Sequence, residues 1–330
     1  DWRSFLDQTL RESQIARGDL DVPYTLQYAD TLPLLYTIWQ TALWALPLPL
    51  GVAAWASLAA SLVRWLRHGS WADALLLAWA GPYLVITGLL YTKYLRYMQP
   101  VVPILCIFAA ALMATITHKL RCAKPQTPNS RRSSVVHHLS SITLVLLLLV
   151  SLAYALAFVS IYSPPHSWAG VSAWIYRNLP AGSTLAVEHW DTALPLPVAV
   201  DGVGHDPTDY TYRTLNLYDE PDDPAKWQAL ATGLSESDLL VIASRRLYGS
   251  SPRAPERYPV ASRYYDLLFA GELGFELVGE FTRGPSWLNP RLPPLPGAAP
   301  AFLHPDESFV VYDHPRALIL RNVEGLSAQE

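Results

Sequence analysis

Two short stretches of this 330-residue sequence hold side chains whose types and spacing could do chemistry. The first is Tyr91-Thr-Lys93-Tyr-Leu-Arg96-Tyr97-Met-Gln-Pro100-Val-Val-Pro103. At spacing i, i+3, i+4, Lys93, Arg96 and Tyr97 share one face of a helix. A lysine offers phosphate a compact charge, and an arginine offers it a two-pronged fork. Both cations stand between long apolar runs, so the headgroup depth of a bilayer is where they belong, and a lipid phosphate sits there too. The plainer alternative is that two helix-end cations snorkel to the surface.

The second stretch is Glu188-His189-Trp190-Asp191, just after a strand-like run. Side chains there gather at the C-terminal edge of a sheet, where α/β folds bind ligands. Glu188, His189 and Asp191 have the donor types for a divalent metal, and Trp190 has a face for a sugar ring. Four adjacent residues cannot all face one point, so an ordinary polar turn with a buried tryptophan is the simpler reading. The sequence establishes no cofactor, and this divalent ion is the one candidate. Asp201-Gly202 with His205 and Asp206, the run Asp219–Asp223, His304 with Asp306, and Asp313-His314-Pro315 read as loops and turns. No metal-ligand or nucleophile spacing, P-loop or Gly-x-Gly-x-x-Gly occurs.

Composition says which elements must position these groups. Hydrophobic residues make up 51% of the chain and charged ones 16%, against about 25% charged in a soluble domain. The deficit is local, because no acid occurs between Asp73 and Glu188. From Ser163 onward there are 21 Asp+Glu against 12 Lys+Arg. An acidic half without a basic stripe gives nucleic acid no footing. Both cysteines, Cys106 and Cys122, fall in the apolar half, so the acidic half has no disulfide framework and no thiolate zinc site.

Four apolar runs, at about 41–63, 72–91, 100–117 and 139–161, are each near the ~20 residues that cross ~30 Å of hydrocarbon. Residues 31–40 read as an interfacial or re-entrant helix. Cations concentrate in the links 64–71 and 118–138, which places those links on the cytoplasmic side. Segment 1–30, link 92–98 and everything after Ser163 are then extracytoplasmic, in a plasma (inner) membrane protein. The polar opening is neither a signal nor a transit peptide and starts without Met, so the chain is expected to be the C-terminal portion of a longer protein. Phe5, Leu6, Leu10, Ile15 and Leu20 give that opening a weak apolar face.

The expected organisation is therefore an extracytoplasmic polar segment 1–30, a multi-pass α-helical membrane region 31–162, and a soluble α/β domain 163–330. In that domain the pattern predicts helices over 166–179, 224–232 and 258–271, and strands over 184–187, 238–243 and 275–282. A closing pair of strands is expected at 309–312 and 317–321, and an ordered surface loop at 284–300. Such alternation favours a largely parallel sheet.

The pattern Lys-x-x-Arg-Tyr-x-x-Pro-x-x-Pro from Lys93, opening an apolar helix, resembles the late transmembrane region of GT-C glycosyltransferases. It is most similar to the protein-mannosyltransferase-like family (family 39), which includes bacterial lipid A aminoarabinose transferases. The runs DVPYTLQYADTLPLLYTIWQTALW at 21–44, RYYDLLFAGELGFELVGEF at 263–281 and ESFVVYDHPRALILRN at 307–322 resemble the same family in the same order. The resemblance implies a transferase that moves a sugar from a polyprenyl-phosphate donor to an acceptor on the outer membrane face. It implies lipid-phosphate contact around Lys93 and Arg96, with Tyr97 beside them. The family's catalytic acid lies in an external loop after its first membrane helix. No position here matches it, so the catalytic residue is unknown. The opening segment's acids (Asp7, Glu12, Asp19, Asp21, Asp30) are a weaker source than sequence upstream. The acceptor, whether protein, lipid or glycan, is not identified. A second reading is a non-catalytic membrane-anchored protein whose external domain binds a glycan or a partner protein. A transporter fragment is weaker still, since the spans show no buried charge pair.

Overall fold

A computed structural model describes residues 1–122, 131–285, 304–325 and 327. The chain divides into two compact units, one of residues 32–158 and one combining 1–31 with 159–330. The opening segment, read from sequence as separate, is thus built into the same unit as the α/β domain.

Helix α1 (Trp2–Arg17) starts where the Asp1 side chain accepts the Arg3 N–H at 3.0 Å, and it stops at Gly18 in the left-handed region. The weak apolar face expected of the opening segment is split. Ile15 is buried, whereas Trp2, Phe5, Leu6 and Leu10 are exposed. A 3-10 turn, Pro23–Tyr28, follows.

In the second unit, α2 (Leu35–Gln40) runs into a single π-turn at Thr41–Ala45 before α3 (Leu48–His68) begins. The first span therefore starts later than the predicted 41. The reason is proline: Pro47 is the N-cap and Pro49 lies in the first turn, where a missing N–H leaves no bond unmade. Then come α4 (Trp71–Leu89), α5 (Val102–Cys122) and α6 (Arg131–Val159). Much of the predicted basic loop 118–138 is helical, and its residues 123–130 lie outside the described ones, as do residues 286–300 of the predicted 284–300 loop.

Small residues let α3, α4 and α5 approach. Ala53, Ala54, Ala80 and Ala109 pack with Leu84, Leu105 and Met98 in one cluster. Gly51 lies so close to the π-turn that a Cβ would sit 2.6 Å from both the Cα and the carbonyl oxygen of Ala42. Gly51→Ala is therefore expected to lower stability by about 1–3 kcal/mol through overpacking. Thermal unfolding of the full chain in detergent checks this, and an unchanged Tm refutes it.

Among the described residues, four helices are long and apolar enough to cross a membrane. Their outward residues agree with that. On α6, Val145, Leu146, Leu148, Leu149, Leu152 and Leu156 are each more than half exposed. An apolar outward face of this kind is what a membrane-crossing helix presents. A charge pair missed from sequence joins two of these helices at their ends. Arg64 donates to both carboxylate oxygens of Asp73, at 2.8 and 3.0 Å, and to the Ser61 hydroxyl.

The α/β unit continues with α7 (Ser167–Asn178), β1 (Thr184–Glu188), the small hairpin β2 (Ala199–Val200) and β3 (Val203–Gly204), and β4 (Thr211–Leu215). Next are α8 (Pro224–Ser235), β5 (Leu239–Ile242), α9 (Pro259–Ala270), β6 (Phe275–Phe281), the short α10 (Glu307–Val310) and β7 (Ala317–Asn322). The sheet order is β4-β1-β5-β7-β6. Pairs β1–β4 and β1–β5 are parallel, while β5–β7 and β6–β7 are antiparallel. The expected largely parallel sheet is corrected to a mixed one. The predicted strand 309–312 is also corrected. Asp306 accepts the Ser308 N–H at 2.9 Å and so caps a helical turn there.

Strand alternation then decides which side chains meet. Leu185, Val187, Leu239 and Val241 pack with Val171 and Ile175 of α7. Ala186, Leu240 and Ile242 face the other way, into a core with Leu230 of α8 and Tyr264, Tyr265 and Leu268 of α9. Leu26 of the opening segment joins this second core.

Candidate functional site

The link between α4 and α5 does not form the helix that would put Lys93, Arg96 and Tyr97 on one face. Residues 92–94 lie outside any helix, and only Leu95–Met98 makes a 3-10 turn. Lys93 is buried, and its ammonium donates to the Tyr91 carbonyl at 2.9 Å. Burial pushes its pKa below the usual lysine value. Arg96 is exposed, its guanidinium 4.4 Å from the centre of the Tyr94 ring and 6.0 Å from that of Tyr97. Those two rings meet edge to face at 5.2 Å. Cation–π contact with both rings helps hold the guanidinium in place. Of the three predicted residues, the structure thus brings Arg96 and Tyr97 together and turns Lys93 inward.

At the C-terminal ends of β1 and β5, alternation turns Glu188 toward α9. Its Oε1 accepts the Tyr265 hydroxyl at 2.8 Å, and its buried Oε2 has no hydrogen-bond partner among the described residues. Burial pushes the pKa up to about 8, with nearby Asp191 adding to the rise and the Tyr265 hydrogen bond opposing it. Asp191 accepts the Ser244 hydroxyl at 2.6 Å and the Thr192 N–H at 2.8 Å. His189 lies apart, its Nδ1 3.5 Å from Asp219. Glu188, His189 and Asp191 therefore turn toward three different neighbours. Among the described residues no group of three or more His, Cys, Asp or Glu could hold a metal ion.

Trp190 adopts φ 71°, in the left-handed region that a bulky side chain enters only under constraint. Two contacts supply the constraint. Arg246 donates from Nη1 to the Trp190 carbonyl at 3.1 Å, and the indole N–H donates to Asp219 at 3.3 Å. Arg246 is itself anchored by Nε to Glu307 at 2.9 Å and lies 5.5 Å from the centre of the Tyr24 ring. The Glu307 N–H donates to Gln27 at 2.9 Å, and the Tyr28 hydroxyl donates to Asp306 at 2.7 Å.

Trp190 and Tyr24 line a cavity of about 330 Å³ whose other wall is α1, through Gln8, Arg11, Glu12 and Ile15. These four stand at i, i+3, i+4 and i+7, one helix face. Sequence reading singled out Trp190 but missed Tyr24, Arg246, Ser244 and Tyr265. The i, i+3, i+4, i+7 spacing on α1 was the one signal in reach, and it carries no apolar pattern to draw notice.

Comparisons with protein-family models, with curated proteins and with solved structures find no match to this chain.

Proposed function

We propose that this chain is the C-terminal part of a membrane glycosyltransferase of the GT-C type, moving a sugar from a polyprenyl-phosphate donor to an acceptor on the outer face of the membrane. The observation that carries the reading is Arg96. It stands exposed on the link between two apolar helices, aimed by Tyr94 and Tyr97. A phosphate leaving a sugar needs a fixed cation of that kind, and a guanidinium fork binds it through two oxygens at once. The order of family-like motifs from residue 21 to residue 322 supports the same reading. On this view the basic links face the cytoplasm of a plasma (inner) membrane, the α/β unit faces outward, and the catalytic carboxylate comes from outside these residues.

The structure alters how the link would work. Lys93, hydrogen-bonded to Tyr91 and buried, shapes the turn, and Arg96 alone meets the phosphate. Arg96→Ala is expected to weaken retention of undecaprenyl phosphate by about tenfold, close to the ~1.4 kcal/mol of one exposed charge-assisted contact. Native mass spectrometry of the full chain in nanodiscs doped with that lipid reads it. Equal retention by wild type and variant sinks the phosphate site.

A further inference from the structure

The cavity between α1 and Trp190 has a chemistry that neither the spans nor the link explains. Its two aromatic members, Tyr24 and Trp190, come from segments far apart in the chain. Its polar members are an amide, a guanidinium and a carboxylate, from Gln8, Arg11 and Glu12. We propose that this cavity binds a saccharide of one or two rings, stacked on Trp190 and Tyr24 and hydrogen-bonded by Gln8, Arg11 and Glu12.

Three observations point to that class. The volume, about 330 Å³, sits at the small end of ligand sites, which begin near 300 Å³. The lining mixes donors and acceptors. Arg11 only donates, Glu12 only accepts and Gln8 does both, which suits hydroxyl groups that must do both. An anion such as a free phosphate would meet the Glu12 carboxylate, and a purely apolar ligand would make no use of the donors and acceptors that these three exposed side chains present. Aromatic faces complete the set, since the C–H side of a sugar ring is apolar and packs on a π surface.

The site is also built rather than incidental. Trp190 is held at a backbone angle it would not adopt freely, through a carbonyl bonded to Arg246. Arg246 is fixed in turn by buried Glu307 and by the Tyr24 ring. The stacking residue is thus fixed before any ligand arrives, which removes part of the ordering cost of binding.

The test is equilibrium binding of free sugars to the full chain in detergent. Saturation-transfer NMR screens glucose, galactose, mannose and N-acetylglucosamine with their β-linked disaccharides, and titration follows for any that bind. At least one is expected to bind, about tenfold more weakly to Trp190→Ala and nearly as well to Trp190→Phe. Glu12→Ala and Gln8→Ala, on exposed helix positions, are expected to weaken it likewise. These two keep the test decisive should Trp190→Ala fail to fold. Binding of none of the sugars overturns the proposal, and so does binding that none of these substitutions changes. No turnover and no lipid donor enters the readout, so its failure leaves the transferase reading untouched, and the reverse also holds.

Discussion

Glu188→Gln is expected to make the chain more stable at neutral and alkaline pH and to leave it unchanged in acid. The carboxyl is buried with one oxygen unpartnered, and its pKa stands near 8 rather than the ordinary 4.5. Between those values the folded chain holds a proton that the unfolded chain has released. Stability therefore falls as pH rises from 4.5 to 8, by at most about 1.4 kcal/mol per pH unit. Below 4.5 both states are protonated and the effect is absent. Glutamine keeps an acceptor for the Tyr265 hydroxyl and has nothing to titrate. Thermal unfolding across that window should show a falling Tm for wild type and a flatter line for the variant. Parallel lines would mean that Glu188 is solvated or paired. Burial also raises Asp191 and Glu307, so both add to the wild-type slope, and some slope is expected to survive in the variant.

Arg246→Ala is expected to lower stability by about 3–5 kcal/mol, the usual loss when one member of a buried pair is removed. Arg246 and Glu307 are largely buried together. Removing the guanidinium strands the Glu307 carboxylate and leaves the Trp190 carbonyl without its donor. The loss should grow as pH rises, because Glu307 must then be charged without its partner, and should shrink in acid. The paired change Arg246→Met with Glu307→Met serves as the control. It leaves no buried charge and should recover much of the loss, since an apolar pair often replaces a buried ion pair with little penalty. An Arg246→Ala variant that unfolds at the wild-type Tm would show the pair to be solvated.

The two halves were unequally legible. The four apolar helices were readable because length and apolar composition are local properties of a sequence, yet their ends were not. Pro47 and Pro49 moved the start of the first one, and α5 and α6 extend into what read as a basic loop. In the α/β unit, β1, β5, β6, β7 and the helices α7, α8 and α9 follow from periodicity. β4 did not, because Thr-Tyr-Arg-Thr-Leu on a half-exposed edge has no apolar run to announce it. The strand expected at 309–312 failed because a side-chain cap from Asp306 outweighed the β propensity of Phe309, Val310, Val311 and Tyr312.

The candidate sites divide the same way. Sequence alone determined that cations lie between apolar helices, that an acid-rich half follows, and that a tryptophan among polar residues ends a strand. Those facts depend on residue type and on neighbours a few positions away. Only the tertiary structure decided that Lys93 turns inward while Arg96 stays out, that Glu188 faces Tyr265 rather than its own neighbours, and that the opening segment supplies Tyr24 and a face of α1 to the wall opposite Trp190. Each of these is set by contacts that the periodicity of one segment does not encode. A turn is closed by its own carbonyl, a strand's alternation is given its direction by the helix it meets, and two segments more than a hundred residues apart are joined by a shared core.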